Sequence, residues 1–373
     1  MSIIRREFFR RAAALTTAPM MGAQISIQDA DTQQRSWPLA EGEHTPKLVM
    51  GCPINADSKA MRRLRQLGVN YVSSVDGTRP WTNEHLSSAM KKFQEQGLTL
   101  INLMYIIPPA IVLDGPGKDR EIAYLQQSLR VAGECGLPTV EYNFYVDRLV
   151  EGYFEASGRG GAGLTGFDYS RVKNLPPKPE IGIHEAPKLW SNLAYMLNAV
   201  IPVAEEAGVR MALHPNDPVA QESHGSAQIV ANLDGLKKLI ALVDSPTNGI
   251  TFDCGVLREM GEDPVEACLY FAGRDRINHV HYRNVISELK YDKYLEVFPD
   301  EGEVNMFEVM RVLFGHHYNR GLYAEHPLII DYDREHPGNA NLSGARPGSG
   351  GYAAECFNVG FARAMMLAVM SVS

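Results

Sequence analysis

The feature that most constrains this chain is a regular alternation of short apolar runs with longer amphipathic ones, from Lys47 to the carboxyl end. Short apolar runs bounded by turn residues are typical of buried strands, and a 3.6-residue period is typical of helices. The predicted strands are residues 48–50, 71–74, 99–104, 139–144, 210–213, 250–253, 279–282 and 322–324. The predicted helices are residues 58–67, 82–96, 121–135, 188–207, 233–243, 264–271, 306–317 and 352–369.

An alternation of this kind predicts an α/β fold, a (β/α)8 TIM barrel, more economically than an open doubly wound sheet. The predicted strand-to-helix turns carry no Gly-x-Gly-x-x-Gly sequence, so the pattern of a dinucleotide-binding fold is missing. We expect residues 47–373 to form a single catalytic barrel domain. Residues 147–178 and 331–351 are predicted to be long loops at the carboxyl ends of the strands, where barrel enzymes place their substrate loops.

The first 23 residues have the composition of an export signal. Arg5 and Arg6, followed by Glu7 and two phenylalanines, resemble the twin-arginine motif, and the apolar stretch at 12–21 is too short to span a bilayer. We expect residues 1–23 to be a twin-arginine signal peptide and residues 24–46 to be a linker, which predicts a periplasmic or otherwise exported protein. The alternative is a basic, partly helical tail on a cytoplasmic protein.

Charge and cysteine content narrow the classes of partner. The net charge of -8 argues against a nucleic acid or an anionic membrane surface, because either would favour a basic face. The 5 cysteines are scattered without a CxxC pair, so we expect free, mostly buried thiols rather than a disulfide framework. A small molecule is the expected partner, and a homo-oligomer is left open.

Ionisable residues stand at the carboxyl ends of predicted strands that are otherwise apolar. His214, Asp253, His281 and Glu325 end four successive strands. In a barrel these ends surround one mouth, and a set of imidazoles and carboxylates suits a divalent cation. The pattern therefore predicts a metal site.

Three neighbouring residues have predicted roles around this site. Of the two histidines in strand seven, His281 lies nearer the carboxyl end and is taken as the ligand, whereas His279 is expected to pack against the helices. His326 directly follows a proposed ligand, which suits a general acid or base. Arg283 could bind a substrate carboxylate through a two-pronged hydrogen bond, or form a surface salt bridge.

At these residues the chain resembles the mannonate dehydratases of the xylose-isomerase-like barrel superfamily, over roughly residues 48–369. The segments that carry the resemblance are Glu141-Tyr142-Asn143-Phe144, residues 201–206, His214-Pro215-Asn216-Asp217-Pro218, Asp244-Ser245-Pro246 with Asn248-Gly249, His281-Tyr282-Arg283-Asn284, residues 302–306 and Gly351-Tyr352. The resemblance implies a metal-dependent lyase that removes water from mannonate to give 2-keto-3-deoxygluconate. Mn²⁺ is the cation it favours, with Fe²⁺, Zn²⁺ or Mg²⁺ as alternatives.

The resemblance also implies roles for single residues. By position, the metal ligands are His214, Asp253, His281 and Glu325, and Glu141 is a proposed fifth. The proposed acid and base groups are His326 and Tyr352. Residues of the matching segments are taken as substrate-binding, namely Asn143, Asp217, Arg283 and Asn284.

This sequence departs from the family pattern at the metal and at the substrate. Asp253 replaces a ligand cysteine, Glu325 replaces a ligand aspartate, and Glu141 replaces a cysteine. An arginine of the family is lost where Gln228 now stands, and a glycine-rich loop replaces the segment that follows strand four. Oxygen for sulfur is conservative for Mn²⁺, but a lost arginine is not conservative for binding a sugar acid.

Two other functions therefore stay open at this point. One is a metal-dependent isomerase or epimerase acting on a neutral sugar or glycoside, which would need no arginine. The other is an exported sugar-binding protein that keeps the barrel without the chemistry.

Overall fold

The structure, a computed structural model, describes residues 39–326, 328–336 and 346–372. The strands are β1 Lys47–Gly51, β2 Tyr71–Asp76, β3 Thr99–Tyr105, β4 Thr139–Tyr142, β5 Tyr153–Ser157, β6 Gly163–Asp168, β7 Arg210–Leu213, β8 Glu222–Ser223, β9 Ser226–Ala227, β10 Asn248–Asp253, β11 Ile277–His281, β12 Asn284–Leu289, β13 Lys293–Val297 and β14 Gly321–Tyr323. The helices are α1 Ser58–Gln66, α2 Asn83–Glu95, α3 Pro109–Val112, α4 Lys118–Cys135, α5 Ala186–Ala207, α6 Leu233–Leu242, α7 Cys254–Glu259, α8 Pro264–Ala272, α9 Met306–Gly315, α10 Asp331–Glu335 and α11 Tyr352–Val372.

Eight parallel strands close into a barrel in the order β1-β14-β11-β10-β7-β4-β3-β2. Strands β10 and β11 are buried along their whole length, as expected of a parallel sheet that is covered on both faces. Each predicted strand overlaps one barrel strand, and each predicted helix overlaps one helix around it. The predicted (β/α)8 fold is therefore confirmed.

Glycines end two of the helices that surround the barrel. Gly136 follows α4 with φ 76°, and Gly208 follows α5 with φ 68°. This left-handed conformation favours glycine, and it lets the cap N–H groups bond to carbonyls of the last helical turn. The chain is thus turned back toward the next strand after each helix.

Helix α11 closes the chain. Among the described helices it alone is long and apolar enough to cross a membrane. Its buried residues, which include Ala362, Met366 and Val369, belong to the main hydrophobic core, and it packs against α9 and β1. These contacts are those of a core helix on the outside of a barrel.

The two segments that follow β4 and β11 form a second sheet that the sequence did not predict. Its four strands are antiparallel, in the order β12-β13-β6-β5. The segment expected to be a glycine-rich loop thus provides β5 and β6. Because β4 and β11 both lead into this sheet, it lies on the side of the barrel where the strands have their carboxyl ends.

The predicted signal peptide lies outside the described residues, as does most of the predicted linker. The described residues from Ala40 onward belong to one compact unit.

Candidate metal centre and active-site cavity

The side chains of His214, Asp253, His281 and Glu325 meet at the carboxyl end of the barrel. His214 Nε2 lies 3.1 Å from His281 Nδ1, and each of these nitrogens lies 3.7 Å from Asp253 Oδ2. The fourth side chain joins them through a contact between Glu325 Oε2 and His281 Nδ1. The structure therefore brings the four predicted ligands together, with one donor atom of each facing the others.

This donor set fits a divalent cation. Bonds of about 2.0–2.2 Å from one cation to nitrogen and oxygen place neighbouring donors about 3 to 3.5 Å apart, close to the spacing found here. The donors of His214, Asp253 and His281 are buried and lie within 4.8 Å of one another. Burying two carboxylates and two imidazoles together is costly without a partner charge, and a cation supplies that charge. The centre is thus suited to hold a divalent metal.

Glu141 lies on the other side of His281. Its Oε1 is 3.3 Å from His281 Nε2, the ring nitrogen that faces away from the other ligands. Both oxygens also accept hydrogen bonds, Oε1 from Thr251 at 2.8 Å and Oε2 from Asn102 at 2.7 Å. Burial would raise the pKa of the Glu141 carboxyl, but the positive charge of His281 outweighs burial and lowers it. Glu141 thus contacts the back of the ligand His281, and one of its oxygens also lies with His279 and His281 in a second buried group that could hold a cation. A fifth ligand therefore stays a prediction.

His279 also faces the barrel lumen, which corrects the expectation that it packs against the helices. Residues two apart on a strand share a face, so His279 and His281 point the same way, with ring centroids 5.3 Å apart. Gly321 leaves room for the His279 ring, because a Cβ there would lie 2.7 Å from Nδ1. Burial lowers the pKa of His279 to about 4 and keeps the ring neutral.

Arg283 is not placed to bind substrate. Its side chain is 2% exposed, and it bonds to Asp253 Oδ2 at 3.0 Å and to Glu259 Oε1 at 2.8 Å. The predicted role as a substrate contact is corrected for a physical reason: the guanidinium is buried behind the predicted ligand Asp253 and holds it. The other oxygen of Asp253 accepts a hydrogen bond from the Val256 N–H at the start of α7, so the carboxylate is fixed from both sides.

The three other predicted substrate-binding residues are also absent from the cavity lining. Asn284 is buried and bonds to backbone groups of Val304 and Pro299. Asp217 is buried among arginine and tyrosine side chains. Asn143 accepts a hydrogen bond from the Tyr145 hydroxyl. These side chains shape the surroundings of the site, because their polar groups are already used within the protein.

Tyr352, the second predicted acid or base, does not reach the cavity lining either. It is the first residue of α11, where the Arg63 guanidinium lies 5.3 Å from the centre of its ring. Partial burial raises the pKa of Tyr352 to about 12. The structure therefore does not bring Tyr352 together with the metal ligands.

His326 does lie in the cavity, beside the predicted metal ligands. Its Nε2 is 3.0 Å from Glu325 Oε1, and its Nδ1 is 2.7 Å from Glu296 Oε2. Burial would lower its pKa, but the two carboxylates outweigh burial and raise the pKa above the usual value. Its backbone has φ 49°, a left-handed conformation that costs a non-glycine residue energy and is concentrated at functional sites.

The site includes a cavity of about 500 Å³. Among the residues that line it are Glu141, His281, Glu325 and His326, together with the small side chains of Ser73 and Ser74. A cavity of this size can enclose a small ligand such as a sugar acid. Two of the four predicted ligands, His281 and Glu325, thus line the cavity together with one histidine suited to proton transfer.

Two arginines of the cavity were missed in the sequence, Arg148 and Arg346. Both stand in segments that were predicted to be substrate loops, one after β4 and one before α11. That placement was the only signal for them, because a single arginine in a polar loop resembles any surface residue. Glu296 on β13, which pairs with His326 and Arg346, had no signal either.

Comparison with known proteins identifies the family of this chain. The family model for D-mannonate dehydratase (UxuA) matches residues 161–353. Mannonate dehydratase 2 of Halalkalibacterium halodurans is 30% identical over 300 residues, which are 72% of this chain and 84% of that protein. The mannonate dehydratase of Thermotoga petrophila is 28% identical over 321 residues, which are 76% of this chain and 89% of that protein.

Similar solved structures share the barrel fold of this chain. The crystal structure of mannonate dehydratase from Streptococcus suis serotype 2 has a TM-score of 0.77 at 24% identity, covering 88% of this chain and 95% of the other. A xylose isomerase-like TIM barrel protein from Mycobacterium smegmatis has a TM-score of 0.57 at 14% identity. The family model matches about half of the chain, and a relative with 30% identity is matched over 84% of its length. This chain therefore belongs to the mannonate dehydratase family.

Proposed function

We propose that the protein is a divalent-metal-dependent hydro-lyase that removes water from a sugar acid, with D-mannonate as the expected substrate and 2-keto-3-deoxygluconate as the product. The observation that carries the proposal is the arrangement of His326 beside Glu325. One ligand and one proton-transfer group stand next to each other in the same cavity, 3.0 Å apart. Membership of the mannonate dehydratase family supports the same reaction.

The reaction needs three proton movements. A proton leaves C2 of the acid, a proton is delivered to the C3 hydroxyl as it departs as water, and the resulting enol loses its hydroxyl proton while C3 gains one, which gives the 2-keto acid. A C–H bond beside a carboxylate is very weakly acidic, so positive charge must stabilise the electrons left behind. A bound divalent cation supplies that charge next to the substrate oxygens.

The residues of this chain have three further roles, which are to bind the cation, to position its ligands and to transfer a proton. His214, Asp253, His281 and Glu325 hold the cation, and Arg283 and Glu141 fix two of these ligands from behind. His326 is the group that transfers a proton. Glu296 holds its Nδ1 at 2.7 Å, so its Nε2, on the side of Glu325, is the atom directed toward the centre.

Mn²⁺ is the proposed cation. Two of the four ligands are carboxylates, and there is no sulfur ligand, which favours a harder cation than a cysteine-containing site would. Fe²⁺, Zn²⁺ and Mg²⁺ are the alternatives. Metal analysis of the purified protein, followed by activity measured after removal and replacement with each cation, tests this choice.

The direct test of function is incubation of the Mn²⁺-loaded protein with D-mannonate and measurement of the 2-keto-3-deoxy acid. Formation of that product, dependent on the metal, is the expected result. The isomerase or epimerase alternative gives another outcome: no keto-deoxy acid, but solvent deuterium incorporated into a neutral sugar. That outcome would overturn the dehydratase proposal while leaving the metal centre intact.

We also propose that residues 1–23 direct export through the twin-arginine pathway. Such signals are read by a receptor, so charge alone does not replace the arginine pair. In the full chain, Arg5→Lys with Arg6→Lys should keep the protein in the cytoplasm of the producing cell. The matched control is Arg10→Lys with Arg11→Lys, which changes a second arginine pair in the same segment. Equal export of both variants would contradict the proposal.

A further inference from the structure

Two arginines on one side of the cavity share a single buried carboxylate. Arg148 Nη2 and Arg346 Nη2 each lie 3.1 Å from Asp217 Oδ2. Asp217 is 1% exposed, whereas the side chains of the two arginines are 35% and 21% exposed and line the cavity. The carboxylate therefore lies behind the pair, and the guanidinium groups form the surface that a ligand meets.

Further contacts fix both guanidinium groups in place. Arg148 Nε donates to the Asp217 carbonyl at 2.7 Å, and Arg346 Nη1 donates to Glu296 Oε1 at 2.9 Å. Tyr153 lies between them: its hydroxyl donates to Asp217, and its ring centre is 5.0 Å from the Arg346 guanidinium. Side chains held in this way lose little entropy when a ligand binds.

Some N–H donors of Arg148 and Arg346 are not used within the protein. Within the part of the chain that the structure describes, the hydrogen bonds of Arg148 use Nε and Nη2, and those of Arg346 use Nη1 and Nη2. Arg148 Nη1 and Arg346 Nε thus remain for a ligand. Two adjacent guanidinium groups with unused N–H donors are suited to a planar anion with two oxygens.

We propose that Arg148 and Arg346 bind the carboxylate of the sugar-acid substrate. This inference rests on the proposed dehydratase function and names the residues that make it selective for an acid over a neutral sugar. It also accounts for the arginine that this chain lacks at Gln228. The Gln228 amide is buried and donates to the carbonyls of Pro218 and Ala220, so it does not face the cavity.

The position of the pair relative to His326 supports this assignment. Glu296 bridges them, with Oε1 on Arg346 at 2.9 Å and Oε2 on His326 at 2.7 Å. An anion on the arginines is therefore separated from the proton-transfer group by a single side chain. The carbon next to a carboxylate is the one that loses its proton, and this arrangement brings that carbon toward His326.

Calorimetric binding tests the proposal without turnover when every protein compared is Mn²⁺-loaded and carries His326→Ala, so that the acid is not dehydrated during the titration. The probes are D-mannonate, the neutral mannitol and mannose 6-phosphate. The protein with both arginines in place should prefer mannonate. Arg148→Met and Arg346→Met should each weaken mannonate binding by about tenfold or more, because an ionic hydrogen-bonded contact is lost, and should leave mannitol binding unchanged. The matched control is Arg159→Met, which removes an arginine that pairs with exposed Asp300 outside the cavity lining.

Loss of either arginine leaves Asp217 with fewer partners, so folding is checked by thermal unfolding. Should the methionine variants fail to fold, Arg148→Lys and Arg346→Lys decide the question. They keep the charge but lose the planar fork, and should weaken mannonate binding by about threefold or more. Unchanged mannonate affinity in the folded variants would overturn the proposal. So would a protein with both arginines in place that binds mannose 6-phosphate in preference to mannonate, which would assign the pair to a phosphate.

Failure of this inference and failure of the proposed function give different results. Arginine-dependent binding of mannonate without any keto-deoxy acid would support the carboxylate site and reject the dehydratase. Dehydration that is unaffected in both arginine variants would support the dehydratase and reject the carboxylate site.

Discussion

Glu141 Oε1 lies 3.3 Å from His281 Nε2, on the side of the imidazole opposite the other proposed metal ligands. A carboxylate in this position fixes the tautomer of a ligand histidine, because the proton on Nε2 leaves Nδ1 free to bind a cation. The hydroxyl of Thr251 and the amide of Asn102 hold the carboxylate in turn. Glu141 therefore orients a ligand, and replacing it should weaken metal binding.

Glu141→Gln should weaken metal binding by roughly 10- to 100-fold, the usual effect of removing a carboxylate that supports a ligand histidine. Competition with a chelator of known affinity measures the change. Glu206→Gln, on the exposed surface of α5, is the matched control and should bind the metal normally. Unchanged affinity in Glu141→Gln would reject the orienting role, and a site that no longer binds metal at all would indicate a direct ligand.

His326→Ala should lower kcat for dehydration by about 10² to 10⁴, the range contributed by a positioned acid or base. Metal content should be retained, because none of the four ligands is changed. Steady-state kinetics and metal analysis on the same preparation separate the two effects. His316→Ala, an exposed histidine after α9, is the control. Unchanged turnover in His326→Ala would show that His326 does not transfer a proton in the reaction.

The barrel could be predicted because its signals are local. Apolar runs, amphipathic periods and glycines such as Gly136 and Gly208 each act within a few residues. The second sheet could not be predicted, because β6 pairs with β13 across more than a hundred residues and neither segment has a strong strand pattern. The pairing depends on where the barrel brings the two segments.

The same distinction applies to the site. The four proposed ligands could be found because each ends an apolar strand, where an ionisable side chain is unusual and indicates a function. They are His214, Asp253, His281 and Glu325. The role of Arg283 could not be found, since its partners Asp253 and Glu259 lie on other elements. The position of His279 follows from the strand period, because residues two apart on a strand share a face and His279 therefore lies on the same side as His281.

Arg283→Met should lower the free energy of unfolding by about 3–5 kcal/mol, because the buried carboxylate of Asp253 and the buried carboxyl of Glu259 lose the guanidinium that bonds to both. Urea unfolding of the metal-free protein measures this change. Arg258→Met is the matched control: Arg258 pairs with Glu303 where both side chains are about one third exposed, and its loss should cost under about 1 kcal/mol. Equal stability of the two variants, with a higher KM in Arg283→Met, would restore the substrate-binding role.

Glu355 should make the protein less stable as the pH rises. Burial raises its pKa from 4.5 to about 8, with the Arg63 charge only partly opposing this shift. Between these two values the folded state keeps a proton that the unfolded state has lost. The resulting contribution to stability is complete below the unfolded pKa and falls by at most about 1.4 kcal/mol per pH unit, until the pH reaches the folded pKa.

Glu355→Gln carries no such proton, so its unfolding free energy relative to the wild type should increase as the pH is raised from about 5 to about 8. Urea unfolding at intervals across that range measures the difference. Glu95→Gln, at the exposed end of α2, is the control and should follow the wild type at every pH. Parallel curves for wild type and Glu355→Gln would mean that Glu355 ionises in the folded protein at its ordinary pKa, which would place a compensating charge beside the first turn of α11.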